Sequence, residues 1–233
     1  MTISLGERGV RGVVLDIEGT TTPLAFVRDV LFPYARAQLR DFLSEYGEHP
    51  ALLEAIRLLR EERAADGVES ELAEYVERLM DEDRKSLGLK LLQGQIWERG
   101  YRDGSLRGEL FHDVPPALER WRTAGLDLAI FSSGSVLAQQ LLFGHTRWGD
   151  LTRWFRHHFD TGTGPKQAPE SYRRIAAAMG LESARLLFIS DVAAELEAAR
   201  AAGLQVLQCI RPGNAEPPAG NLESIGSFAE LIG

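Results

Sequence analysis

An uninterrupted apolar run at residues 13–15 predicts the end of a buried strand, and it delivers Asp16, Glu18 and the hydroxyls of Thr20, Thr21 and Thr22 just where the strand stops. From residue 23 to about 106 the texture turns helical, with no convincing alternating run. Val27, Val30, Leu31, Tyr34, Phe42 and Leu43 trace one stripe, and Leu52, Leu53, Ile56 and Leu59 a second. Leu72, Val76, Leu79 and Met80 trace a third; Leu87, Leu91, Leu92 and Ile96 a fourth. Pro33 is expected to bend or break the first helix. A helical module, residues 23–106, is thus predicted as an insert into a core made of residues 1–22 and 107–233.

The second half alternates. Residues 114–124 read as a helix ending at Gly125, and 126–131 as a strand. Residues 136–143 resume a helical pattern, 155–159 read as a strand, and a helix near 169–179 stops at Gly180. Residues 185–189 and 205–210 complete the strands. Alternation of this kind predicts a doubly wound α/β core with a mainly parallel sheet, in which ligands bind at the carboxyl ends of the strands.

Those ends carry the candidate chemistry. Strand alternation would put Asp16 and Glu18 on one side, which is unfavourable unless a cation or shared proton lies between them; alternatively they cap a loop, and Gly19 permits the turn. Ser132, Ser133 and Ser135 sit at a strand-to-helix turn, suited to an oxyanion or serving merely as caps. Lys166 lies in a Gly-rich loop, facing solvent or meeting a bound anion. Asp191 repeats the first pattern, an acid just past an apolar strand, and Glu195 shares its face if a helix begins there. Each signal alone is weak. Their convergence on strand ends points to a single site. Gln95, Trp97, Glu98, Gly100 and Tyr101, at the end of the helical module, either anchor two domains or line a pocket.

Composition narrows the class. The chain has 233 residues, 44% hydrophobic and 26% charged, with a net charge of −8. That is an ordinary globular composition, and without a Lys/Arg cluster it argues against a nucleic-acid surface. The charge-rich run at 61–85 mixes both signs and reads as a solvated helix face. The lone Cys209 lies in an apolar run and is expected to be a buried structural thiol, which suits a reducing cytoplasm. No signal-peptide core occupies residues 1–11, and no stretch suits a membrane span.

Asp16-x-Glu18-x-Thr20, a strand-end Ser132, Lys166 and Asp191, in that order and with a helical insert after the first motif, resemble the haloacid-dehalogenase-like phosphatase superfamily with its cap domain. Most phosphatases of that group carry Asp where Glu18 stands. The motif 16–21, with Ser-Ser-Gly-Ser-Val at 132–136, Leu-Leu-Phe-Gly-His at 141–145, Glu-Ser-Tyr-Arg-Arg-Ile at 170–175 and Arg-Pro-Gly-Asn-Ala at 211–215, looks like its enolase-phosphatase branch. The resemblance implies enolisation and dephosphorylation of a phosphorylated diketone, 2,3-diketo-5-methylthiopentyl 1-phosphate, in methionine salvage by a monomeric, cytoplasmic enzyme. It implies Asp16 as nucleophile, Glu18 as proton donor and water activator, and Ser132, Ser133 and Lys166 as phosphate ligands. One Mg²⁺ per chain would be held by Asp16, Asp191 and the main-chain carbonyl of Glu18. For the base that enolises the substrate, Glu18, Glu98 and His145 are all candidates. The rivals are a generic phosphomonoesterase of the superfamily and a receiver-like phospho-acceptor domain.

Overall fold

The computed structural model describes residues 2–46, 49–82, 84, 86–214, 220 and 222–233. Lys85, Ala215 and most of the Pro-Gly loop at 212–220 lie outside the described residues. The chain divides into two compact units, one of Met1–Phe26 with Gly108–Gly233 and one of Val27–Arg107.

The first unit is built on strands β1 (Ile3–Ser4), β2 (Gly12–Leu15), β3 (Asp127–Phe131), β4 (His157–Phe159), β5 (Leu186–Ser190), β6 (Gln205–Cys209), β7 (Ser224–Ile225) and β8 (Leu231–Ile232). Six form one all-parallel sheet in the order β4-β3-β2-β5-β6-β7, and β1 pairs with β8 separately. The chain winds outward from β2 in both directions, so β2 sits at the switch point. All four positions of β2 and all five of β5 are buried, as parallel strands covered on both faces must be. One face packs Val14, Ala129, Phe131 and Phe188 against Tyr172, Ile175 and Leu196 from the helices Pro169–Met179 and Ala193–Ala201. The first of these helices ends at Gly180 in the left-handed region, φ 66°, as its position predicts. β4 starts two residues later than expected because Phe155 follows a 3₁₀ turn, Thr152–Trp154. The strands β1, β7 and β8 carry no readable signal; two residues are too few for any periodicity.

The second unit is helical, with Phe32–Tyr46, Pro50–Ala65, Leu72–Asp81 and Leu87–Arg102 around Leu39, Phe42, Ile56, Leu59, Val76, Leu79, Leu92 and Ile96. Val30, Leu53, Leu87 and Leu91, read as stripe positions, instead face outward. Pro33 does not break its helix. It stands at the second position of Phe32–Tyr46, and the residue its ring would strike, Asp29, lies in a preceding π-helical segment, Val27–Leu31, whose wider turn makes room. The described part of the charged run is the expected solvated face, with exposed pairs such as Arg78–Glu82 at 3.8 Å. Among the described residues no helix is long and apolar enough to cross a membrane.

Candidate active site

The sheet register brings three strand ends level. Leu15 lies opposite Ile130 on one side and Ile189 on the other, and the Asp16 amide still donates to the Ile189 carbonyl at 3.0 Å. Asp16, Ser132, Ser190 and Asp191 therefore leave one edge of the sheet together. Asp16 is 4% exposed. Its Oδ1 accepts from the Ile17 amide and from Lys166 Nζ, both at 2.7 Å, and its Oδ2 accepts from Ser190 Oγ at 3.0 Å. With one donor, Oδ2 keeps lone-pair capacity for a further bond.

Lys166 reaches Asp16 because its loop is pinned. The Tyr172 hydroxyl donates to the Lys166 carbonyl at 2.7 Å, and the buried Tyr172 ring packs edge-on against Phe131. Lys166 Nζ also lies 2.6 Å from Glu195 Oε2, and Ser190 Oγ lies 3.1 Å from the same oxygen. Burial opposes the Lys166 ammonium, but the carboxylates of Asp16 and Glu195 outweigh it and hold its pKa above the usual lysine value. Burial and then the charge of Asp16 push Asp191 up to about 7. The same two causes push Glu195 up to about 7 against the opposing pull of Lys166. Among the described residues one ammonium thus faces three carboxyl groups, which leaves the cluster short of positive charge.

That deficit fits a divalent cation. Asp191 Oδ1 is buried with no hydrogen-bond partner among the described residues, and a Cβ at Gly19 would strike the Asp191 carboxylate, so this acid is pressed against the turn that carries Glu18. Asp16, Asp191 and a main-chain oxygen are hard ligands of the kind Mg²⁺ takes. Among the described residues no group of three or more His, Cys, Asp or Glu side chains is arranged to hold a metal, and a site using two carboxylates and a carbonyl does not need one.

The turn itself departs from the sequence reading. β2 stops at Leu15, so alternation does not extend to Glu18. The amides of Thr20, Thr21 and Thr22 instead converge on the Ile17 carbonyl at 3.2, 2.9 and 2.9 Å, with Gly19 at φ 70°. Glu18 is half-buried on this turn. The acids whose charge meets Asp16 are Asp191 and Glu195, supplied by the next strand end. All three threonines are buried; Thr21 Oγ1 lies 3.1 Å from the Asp16 carbonyl, while the Thr20 and Thr22 hydroxyls have no partner among the described residues.

At the second strand end, Ser135 is the cap of the helix Val136–Gly144, accepting from the Ala138 amide at 3.2 Å. Ser132 is buried, its Oγ accepting from the Gly134 amide at 3.2 Å, and Ser133 is exposed; neither caps that helix, and both stand just before its amino end. His145 ends the helix with its ring nitrogen Nδ1 3.0 Å from the Leu141 carbonyl. Glu98 lies in the helical unit and pairs with Arg102 at 2.6 Å. Cys209 is buried, and burial pushes its thiol up to about 12, as befits a structural cysteine. Sequence reasoning noted Glu195 without a role and missed Ser190, although Ser190 stands directly before Asp191 at a strand end.

A parallel sheet wound outward from a central acidic strand end, with Ser and Asp on the neighbouring ends and Lys on a loop beyond them, is the architecture of the haloacid dehalogenase-like hydrolases, and the model of that family matches residues 10–203. The relatives narrow this. The chain is 51% identical over 230 residues to enolase-phosphatase E1 of Synechococcus elongatus, covering 94% of this chain and 96% of that one. It is 45% identical over 229 residues to enolase-phosphatase E1 of Pseudomonas aeruginosa, covering 96% and 98%. The chain belongs to the enolase-phosphatase E1 family and is, with it, a phosphatase. The crystal structure of the UTR4 protein of Saccharomyces cerevisiae matches with TM-score 0.79 at 29% identity, covering 94% of this chain and 98% of that one. CbbY of Rhodobacter sphaeroides, crystallised with xylulose-(1,5)bisphosphate, shares the fold at TM-score 0.58 and 18% identity, covering 95% and 96%.

Proposed function

We propose that this chain converts 2,3-diketo-5-methylthiopentyl 1-phosphate, through its enol phosphate, to the acireductone and inorganic phosphate, with the helical insert as its cap domain. The observation that carries the phosphatase half is the buried Asp16 carboxylate, held at 2.7 Å by Lys166 at the switch point of the sheet. Asp16 attacks phosphorus; the Asp16 O–P bond forms as the bond to the enol oxygen breaks. Glu18 delivers a proton to the departing oxygen and then takes one from the water that cleaves the aspartyl phosphate. Lys166, Ser132 and Ser133 hold the phosphoryl oxygens. Asp16, Asp191 and the Glu18 carbonyl would hold Mg²⁺, which when bound offsets the charge of the phosphate and the clustered acids. Of the three candidate bases for enolisation, Glu18 shares a turn with the nucleophile; the ring of His145 is engaged at a helix end and Glu98 is paired with Arg102.

The test follows the diketone phosphate with Mg²⁺, recording enol absorbance and free phosphate together. Wild type should give both signals in sequence. Asp16→Asn should accumulate enol without phosphate, because only the second half uses the carboxylate as nucleophile. Neither signal in wild type would refute the reading.

A further inference from the structure

Arg211 and Asn214, from the Arg-Pro-Gly-Asn motif, take no part in the chemistry above, yet both end on the back of the turn that carries Glu18. Three successive carbonyls of that turn are held from outside. Gly19 O accepts from Asn214 Nδ2 at 3.0 Å, Thr20 O from Arg211 Nε at 3.1 Å, and Thr21 O from the Phe111 amide at 3.0 Å. On the inner side, the amides of Thr20 to Thr22 already point at Ile17 O. The turn is thus gripped on both sides.

The grip is anchored far away in sequence. Arg211 is 5% exposed and lies between the rings of Phe111 and Phe228, 4.5 and 4.8 Å from their centroids. Its Nη1 is 2.7 Å from Asp113 Oδ2, which also accepts from Ser227 Oγ at 2.7 Å and the Phe228 amide at 2.6 Å. Asn214 Nδ2 ties the same turn to the end of β6 through the Cys209 carbonyl at 3.2 Å. A buried ion pair is a poor way to add stability, since desolvation consumes most of the Coulombic gain. What this one does is fix donors in space: the planar guanidinium faces the turn with one nitrogen and the anchoring acid with another.

We propose that Arg211 and Asn214 are positioning residues that hold the Ile17–Thr22 turn, and with it Glu18, in the geometry its proton transfers require. This rests on the role assigned to Glu18 above. Asn214→Ala removes one of the three outer bonds while leaving the ion pair intact. Arg211→Lys keeps the charge but lacks the second, coplanar donor. Two readouts are needed: hydrogen exchange of the amides at 17–22 against those of β5, and kcat with KM for phosphate release. In Asn214→Ala the turn amides should exchange about tenfold faster, the worth of about one hydrogen bond, with β5 unchanged. Its kcat should fall about 10- to 100-fold, as for a slight misplacement of a catalytic group, with KM within about threefold of wild type. Unchanged exchange at the turn, a kcat within about twofold of wild type, or exchange raised equally in β5 would overturn the proposal. Asn214→Ala keeps the test decisive if Arg211→Lys fails to fold. Should wild type release no phosphate from the diketone, the substrate reading fails and the exchange difference alone decides the clamp.

Discussion

Replacing Asp191 by Asn should stabilise the metal-free protein at pH 8 while abolishing phosphatase activity. Asp191 is buried beside Asp16 and its pKa is pushed up to about 7, against an ordinary value near 4 in the unfolded chain. A carboxyl raised this far favours folding fully below about pH 4. That contribution is lost as pH rises through about 7, where the folded protein must ionise the group too. A displacement from about 4 to about 7 corresponds to about 4 kcal/mol. Glu195 shares the charge of Asp16 with Asp191, so the two do not add, and removing one acid should relieve about half, about 2 kcal/mol. For a chain of this length that is a rise in Tm of about 4–8 °C. Asn keeps the shape and removes the charge. The assay is thermal unfolding of wild type and Asp191→Asn in chelator at pH 8 and pH 5. A gain at pH 8 that largely disappears at pH 5 is expected; added Mg²⁺ should raise the Tm of wild type at pH 8 and leave that of the variant unchanged. A variant no more stable than wild type at pH 8, or equally more stable at both pH values, would refute the reasoning.

Lys166→Met leaves Asp16 and Glu195 buried without their cation. It should cost about 3–5 kcal/mol at pH 8, less towards pH 5 as Glu195 takes up a proton, measured by urea unfolding. Phosphate release should fall by about 10²–10³ in the same variant. Gly19→Ala forces a side chain into the left-handed region, at φ 70°, and onto the Asp191 carboxylate. It should lose about 1–3 kcal/mol with a parallel loss of activity, and wild-type stability on denaturant titration would show that the turn is not as tightly built as its contacts suggest.

Much of this molecule is written locally. The runs at 13–15, 128–131 and 186–189 are continuous because a parallel strand covered on both faces needs apolar residues at every position, and so the polar residues that follow each run stand out. Asp16, Ser132 and the Ser190-Asp191 pair stand in such places, and of that pair only the acid carries a chemistry that reads without its neighbours. Lys166 was legible only as one polar residue on a glycine-rich loop, since its partner lies 150 positions away. Ser190 and Glu195 lacked a role, and the stripe positions Val30, Leu53, Leu87 and Leu91 turned outward, because each outcome depends on what packs opposite.

The amino-acid sequence by itself determined the order and type of the larger elements and which chemical groups stand at the strand ends, because burial and periodicity are properties of short segments. Only the tertiary structure decided which of those groups share a space. The register of β2 between β3 and β5 sets Asp16 level with Ser190, the Tyr172 hydroxyl pins the Lys166 loop, and Arg211 reaches back to the first turn. Protonation follows from that convergence: in a buried, weakly screened setting the charge on Asp16 raises Asp191 and Glu195 together, an effect with no local signature in the chain.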